Sequence, residues 1–328
     1  MSTPYLNLTT AAGKVAAFST AVRLGLIDRI DREPAGPAEL ARTCGATERG
    51  VRVVLAALAE CGFVEQLADG RYRPALTGLA GLHPLIPLWD HLPEAVRTGV
   101  PVHEANSSSP GSAIYPRTTA FLGGPWATAV DQVINALPAD AARILDVCAG
   151  TEPWTIPYCQ RNPRSHVTAL DIPETLTTTR RAVSRAALTD QYEFLPGDMF
   201  TTPLKPCVYN LVIVAQVCSL LNRTEAAALI KRLTPTLSPN GTLAIIDTLA
   251  DAPGSAMQEL SLYLRTREGT IHQPHSYRHW LTAAGLSGLG GAELPTPLAI
   301  TVITGNKTVP IATDPIGTEH DEPATGED

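Results

Sequence analysis

A chain of 328 residues with 44% hydrophobic and 17% charged side chains has the composition of a packed globular protein with room for two domains, which excludes a disordered chain. Its net charge of −7 is lopsided: residues 307–328 hold one Lys against six acids, net −5, so the body carries only −2 and lacks the basic footprint that nucleic acid or an anionic membrane requires. The longest nearly unbroken apolar run, Leu211 to Leu221, is too short to span a bilayer, and no basic stretch followed by an apolar one opens the chain, so a cytoplasmic location is expected.

In chain order, Val15, Phe18, Val22 and Leu26 recur at helical spacing and predict a first helix. A second opens at Pro37 and runs through Leu40 and Ala41. A third starts at the N-cap Thr47, carries Val51, Val54, Leu55 and Leu58 on one stripe, and stops at Gly62. Phe63–Glu65 and Arg71–Arg73 flank an Ala-Asp-Gly turn and predict a hairpin. Three helices and a wing make a winged helix-turn-helix domain over residues 1–82. That segment carries nine Lys/Arg against eight Asp/Glu, and its third helix exposes Glu48, Arg49, Arg52 and Glu60, so DNA readout is disfavoured. Dimerisation through the Val15–Leu26 helix is expected instead, giving a homodimer.

Residues 83–140 read as a helical connector with loops at Ser107–Pro110 and Gly123–Pro125. From 141 to 306 strands and helices alternate. Strands are expected at Ile144–Val147, Val167–Leu170, Tyr192–Leu195, Leu211–Val214 and Leu243–Ile246. Helices are expected at Pro153 to Arg161, Glu174 to Ala187 and Glu225 to Leu233. This pattern predicts an α/β domain with a parallel sheet covered by helices, and Ala299–Thr304 is a late β-rich run placed to complete it. Residues 307–328 read as an acidic disordered tail. The six cysteines, at 44, 61, 148, 159, 207 and 218, show no Cys-x-x-Cys pair and no zinc-like spacing with His, so no metal is expected.

The chemistry gathers after the first three strands of that domain. Asp146-Val147-Cys148-Ala149-Gly150-Thr151-Glu152 follows the first, and Asp171, twenty-one residues after Gly150, ends the second. Ligands of open α/β sheets sit outside the C-terminal strand ends, where an acid accepts hydrogen bonds from ribose hydroxyls. Gly197-Asp198-Met199-Phe200 follows the third strand and offers a polar group and an apolar face to a base. Together these three elements predict a nucleoside site.

Leu145–Thr151, Leu170–Pro173, Gly197–Phe200 and Leu237–Gly241 resemble the successive motifs of the class I S-adenosylmethionine-dependent methyltransferases. More narrowly, they resemble the small-molecule O-methyltransferases of secondary metabolism that carry an N-terminal winged-helix dimerisation domain. Leu92–Gly99 is similar to that family's interdomain helix, as is Tyr277–Gly285 to another of its helices, and the resemblance covers residues 10 to 306. It implies a Rossmann-like domain that binds S-adenosylmethionine, with Asp171 on the ribose, Asp198, Met199 and Phe200 around the adenine, and Asp146, Gly150 and Glu152 beside the methionine portion.

Two departures from the family pattern bear on function. The family loop usually has Gly at the positions of Cys148 and Glu152, and the family usually places a proton-accepting His where this chain has Ser219, followed by Leu220 and Leu221. A serine hydroxyl is no base near neutral pH without an activating group. The replacement candidates are His275, His272 and Tyr263 as acid–base groups, with His91 a further one, and Ser219 as an orienting donor. Trp89, Trp126 and Trp154 are expected to pack. The expected function is methyl transfer to oxygen or nitrogen of a small natural product. The alternative is a methyltransferase scaffold turned to a non-methylating step such as intramolecular cyclisation, with the cofactor not consumed or lost.

Overall fold

The computed structural model describes residues 4–75, 86–102, 129–150, 154–294 and 299–308. The first helix is shorter in reach than the stripe suggested. α1 (Pro4–Arg23) ends before Gly25, whose φ of 71° breaks the helix, and Leu26 opens a separate α2 (Leu26–Arg32). Val15, one of the predicted inward residues, is 48% exposed, because only the C-terminal part of α1 packs, through Phe18 and Ala21. α3 (Pro37–Cys44) starts on its proline and stops at the left-handed Gly45. α4 (Glu48–Glu60) is capped by Thr47, whose hydroxyl accepts from the Gly50 amide at 3.2 Å. β1 (Val64–Gln66) and β2 (Tyr72–Pro74) pair antiparallel as the hairpin. Leu26, Ile30, Leu40, Leu55, Leu58 and Tyr72 join Phe18 in one apolar core, each such side chain contributing roughly 1.5–3 kcal/mol by burial.

A short 3-10 turn, Pro87–His91, leads into α5 (Leu92–Thr98), and α6 (Val130–Asn135) precedes the sheet. Both predicted connector loops, Ser107–Pro110 and Gly123–Pro125, and the acidic tail beyond Thr308 lie outside the described residues.

The sheet is built from β3 (Arg143–Val147), β4 (His166–Asp171), β5 (Tyr192–Pro196), β6 (Tyr209–Ala215), β7 (Leu237–Thr248), β8 (Ser287–Glu293) and β9 (Ile300–Asn306). Their order is β5-β4-β3-β6-β7-β9-β8. β3 to β7 run parallel. β9 pairs antiparallel with β7 and β8 antiparallel with β9, so the sheet is mixed and not wholly parallel as the alternation suggested. The strands escape a parallel pattern only after β7, because β8 and β9 are joined without a crossover helix.

Helices α7 (Thr155–Arg161), α8 (Pro173–Arg185), α9 (Arg223–Leu233), α10 (Ser255–Arg265) and α11 (Pro274–Ala283) complete the domain. The central strands are apolar on both faces, and the two-residue period sends alternate side chains to opposite layers. Ile144, Leu211, Ile213, Ala244 and Ile246 face one buried cluster, and Leu145, Val212, Val214, Leu243 and Ile245 face the other. This architecture is the Rossmann-like α/β class with an N-terminal helical unit. The chain steps outward from β3 through β4 to β5, then returns to the other side of β3 as β6. Strand order reverses there, and the carboxyl ends of β3, β4 and β6 border a crevice.

Candidate active site

The loop leaving β3 turns back sharply on itself. Cys148 and Gly150 both have positive φ, 54° and 68°. A Cβ on Gly150 would meet nothing within 4 Å, so the glycine is there for its backbone angle and for the open space above it. Cys148, a non-glycine in the left-handed region, stores on the order of 1 kcal/mol of backbone strain. Its Sγ packs 3.5 Å from the Met199 Sδ. The loop is tied to β4: the Gly150 amide donates to Asp171 Oδ2 at 2.9 Å, the Ala149 amide to the Leu170 carbonyl, and the Thr179 hydroxyl of α8 to the Gly150 carbonyl. The other Asp171 oxygen accepts from the Ile172 amide at 2.7 Å. Asp171 is 4% exposed, and burial pushes its carboxyl up to about 6, although both amides pull the other way.

Asp146 lies deeper. Its Oδ2 accepts from the Thr155 hydroxyl at 2.7 Å, which in turn accepts from the Tyr192 hydroxyl at 2.9 Å. Burial, with the neighbouring Asp171 charge, raises its carboxyl to about 7 despite the Thr155 bond. Each of these acids holds its proton more tightly folded than unfolded, so the folded state binds more protons and stability falls as pH rises from about 4 to about 7. Asp146→Asn, which still accepts from Thr155, is therefore expected to stabilise the protein at about pH 8 and to gain nothing at about pH 4. Thermal unfolding of both proteins across that range checks it; a difference that does not change with pH refutes it.

The turn after β5 is fixed from two sides. Gly197 donates its amide to the Asp171 carbonyl at 2.9 Å, and a Cβ there would lie 2.0 Å from the Thr202 hydroxyl. Asp198 Oδ1 accepts from the Phe200 and Thr201 amides, closing the turn, while its side chain stays exposed. Arg232 of α9 donates to the Met199 carbonyl at 3.0 Å and to the Thr202 carbonyl. Met199 and Phe200 remain half-buried against the second core cluster. Arg232→Ala should loosen this turn and weaken binding of an adenosine ligand roughly 10-fold, by loss of two charge-assisted bonds at a partly exposed site. Calorimetric titration checks this, and an unchanged affinity counts against it.

Beyond β6 the chain enters a turn, Cys218–Leu220, and here the structure shows a group that sequence reading missed. Asp247, wholly buried at the carboxyl end of β7, accepts from the Ser219 amide and the Tyr277 hydroxyl, both at 3.1 Å, and from the Thr248 amide at 3.0 Å. Burial raises its carboxyl to about 6, with these donors and the Ser219 hydroxyl opposing. The available signal was an acid ending the apolar run Leu243–Ile246. His272 joins the same cluster: its Nε2 donates to the Cys218 and Leu221 carbonyls at 2.9 and 3.1 Å, and its ring meets Trp280 edge-on at 4.8 Å. Burial lowers its pKa, against the pull of the two carbonyls to which Nε2 donates.

The remaining candidates do not converge on this cluster. His275 is exposed at the start of α11 with Nε2 3.4 Å from Arg223, and Tyr263 donates to the Ala95 carbonyl of α5. His91 is exposed at the head of α5. Trp154 packs against the first core cluster and Trp89 is 37% exposed, while Glu152 and Trp126 lie outside the described residues. Among the described residues no cluster of metal-ligating side chains occurs, and no helix is long and apolar enough to cross a membrane. Chemically, the crevice offers the buried Asp171 carboxylate for hydroxyls, an apolar turn for a planar base, and a serine whose amide is held by a carboxylate.

Residues 96–287 match the model of the O-methyltransferase domain family. The chain is 27% identical to the tetracenomycin polyketide synthesis 8-O-methyl transferase TcmO of Streptomyces glaucescens, covering 94% of this chain and 96% of that protein. It is 24% identical to the 3-hydroxy-5-methyl-1-naphthoate 3-O-methyltransferase of Streptomyces sahachiroi, covering 92% and 94%. Its fold superposes on human N-acetylserotonin methyltransferase in complex with S-adenosylmethionine, with a TM-score of 0.73, 21% identity and coverage of 94% and 99%. An O-methyltransferase family protein from Burkholderia thailandensis gives 0.74 at 18% identity, with coverage of 94% and 100%.

Proposed function

The chain belongs to the class I S-adenosylmethionine-dependent O-methyltransferase family, and from that premise we propose that it methylates an oxygen, or a nitrogen, of a small natural product in the cytoplasm. The observation that carries this is the junction at Asp171. Its carboxylate receives the Gly150 amide and its carbonyl the Gly197 amide, so the ends of β3, β4 and β5 are tied into one cradle. The residues fit that cofactor: Asp171 for the ribose hydroxyls, Asp198 with Met199 and Phe200 for the adenine, and the open backbone at Gly150, with Asp146 behind it, for the methionine portion. When bound, S-adenosylmethionine supplies an electrophilic methyl group on a sulfonium sulfur.

The chain's own contribution is positioning. Ser219, held by Asp247, orients the acceptor oxygen as a hydrogen-bonding partner, and an acidic phenol or an enol makes no demand for a strong protein base. TcmO is named for polyketide synthesis and the other enzyme for a hydroxynaphthoate, and the latter supports a hydroxylated aromatic substrate here. His275 lies exposed beside Arg223, and His272 keeps Nε2 on carbonyls and serves to shape the 218–221 turn. The test is calorimetric binding of S-adenosylmethionine and of its demethylated product, followed by mass spectrometry of candidate hydroxy-aromatics. Absence of binding rejects the reading.

A non-methylating step is favoured by one observation, that the turn after β6 presents Ser219 instead of a histidine. It is distinguished by a product of unchanged mass with the cofactor recovered intact. We also assign residues 1–82 to a winged-helix dimerisation unit, 83–140 to a connector, 141–306 to the cofactor domain and 307–328 to a tail. Tyr5, Leu6 and Leu8 on the outer half of α1 are 71, 55 and 70% exposed, which supports burial against a second copy. Sedimentation should give a dimer that Leu6→Glu with Leu8→Glu dissociates; a monomeric wild type ends that assignment.

A further inference from the structure

The inner face of α8 carries two threonines one turn apart, Thr175 and Thr179, and both are wholly buried. They are bonded differently. The Thr179 hydroxyl has one hydrogen and two acceptors in reach, the Gly150 carbonyl at 2.6 Å and the Thr175 carbonyl at 2.9 Å. The Thr175 hydroxyl makes no hydrogen bond. The carbonyl that a helical threonine ordinarily back-bonds, four residues earlier, is here that of Asp171, and the Gly197 amide engages it. Thr175 lies near enough to the Asp171 carboxyl to draw its pKa down, yet forms no bond of normal length and angle to it. A buried donor left unsatisfied destabilises the free protein, so its presence points to a state in which it is used.

Gly150 is held by two bonds, its amide on Asp171 Oδ2 and its carbonyl under Thr179. Thr175 has a stand-in for each: its hydroxyl for the amide, and its carbonyl for the Thr179 hydrogen. We propose that Thr175 is a positioning residue that frees the Gly150 amide for the ligand. On binding, the methionine carboxylate of an adenosyl ligand takes that amide. Thr175 then donates to Asp171 in its place, and Thr179 turns wholly to the Thr175 carbonyl. The inference rests on the reading of the crevice as an adenosyl site. It also closes the hydrogen-bond count at Asp171. A carboxylate accepts about four bonds, and the Ile172 amide, the Thr175 hydroxyl and the two ribose hydroxyls supply that number once Gly150 has left. Gly150 has room to turn, since its φ is 68° and a Cβ there would meet nothing within 4 Å. The exchange strands no buried donor, which keeps its cost low.

The test titrates the full chain with S-adenosylhomocysteine, the demethylated cofactor, and with adenosine. Both carry the base and ribose, and only the first carries the amino-acid group that competes for the Gly150 amide. Thr175→Val keeps the shape and loses the hydroxyl. It should weaken S-adenosylhomocysteine roughly 10-fold and adenosine by less than about 2-fold. Thr175→Ser should hold both within about 2-fold of wild type. In the ligand-free protein Thr175→Val should raise the thermal midpoint by roughly 2–4 °C, because the orphan hydroxyl is gone. A threonine that only packs would move both ligands together and would not set stability against binding. Thr175→Ala, which lacks the hydroxyl in a smaller side chain, should show the same selectivity between ligands whatever its stability. Equal loss of both ligands, unchanged S-adenosylhomocysteine binding in Thr175→Val, or failure of Thr175→Ser to restore it overturns the proposal and leaves the adenosyl site standing. A wild-type protein that binds neither ligand ends both.

Discussion

Asp171→Ala is expected to raise the Kd for S-adenosylmethionine roughly 100-fold or more. Two costs add. The substitution removes the carboxylate proposed to receive the ribose hydroxyls, and it strands the Gly150 and Ile172 amides that the same carboxylate now accepts at 2.9 and 2.7 Å. A hydrogen bond to a charged group contributes about 1.5–3 kcal/mol, and each tenfold in affinity is about 1.4 kcal/mol. The loop is exposed to this loss because Cys148 and Gly150 already hold left-handed angles, and with the Asp171 tie gone only the Ala149 and Thr179 bonds named above oppose relaxation. Asp171→Asn keeps one acceptor oxygen and should fall between wild type and Ala. Calorimetric titration separates the three, and equal affinity for all of them would remove Asp171 from the site.

The second large effect is expected at Asp247, a position no motif marked. Asp247→Ala leaves the Ser219 and Thr248 amides and the Tyr277 hydroxyl without their acceptor. Each stranded buried donor costs about 1–3 kcal/mol. Removing a carboxylate whose burial pushes it up to about 6 returns part of that. A net loss of about 2–4 kcal/mol is the expected result by urea unfolding. Because Asp247 acts through Ser219, the activity readout is a fall in kcat with little change in cofactor affinity. Asp247→Asn, which retains an acceptor, should recover stability ahead of rate. Wild-type stability and kcat in Asp247→Ala would show that the cluster is incidental.

The difference between these two residues shows where sequence reading succeeds and where it stops. Asp171 and Gly150 are twenty-one residues apart in one β-helix-β unit, and such a unit most often returns to the neighbouring parallel strand, so the spacing predicts their meeting. The same locality made most elements readable: the apolar runs of β3, β4, β6 and β7, the Thr47 cap of α4 and the hairpin of β1 and β2 all depend on neighbours within one turn or one strand. α10 was not read, since neither a side-chain cap nor an acid marks its first turn. β8 was missed because Ser287–Glu293 holds three glycines and alternates weakly as a mostly exposed edge strand. The continuous helix from Val15 to Leu26 was over-read, because a stripe of apolar residues does not register that Gly25 turns left-handed between them.

By itself, then, the order of residues determined an α/β domain behind a helical one, a family, and the three strand ends proposed to cradle a nucleoside. Only the folded chain decided how the far side is built. Ser219, Asp247, His272 and Tyr277 come from the turn after β6, from β7, from the segment leading into α11 and from α11 itself, up to 58 positions apart. Short-range periodicity encodes which face of an element is apolar. Which elements then share a wall depends on the reversal of strand order at β3 and β6 and on how the remaining helices fill the space around it, and no local pattern carries that information.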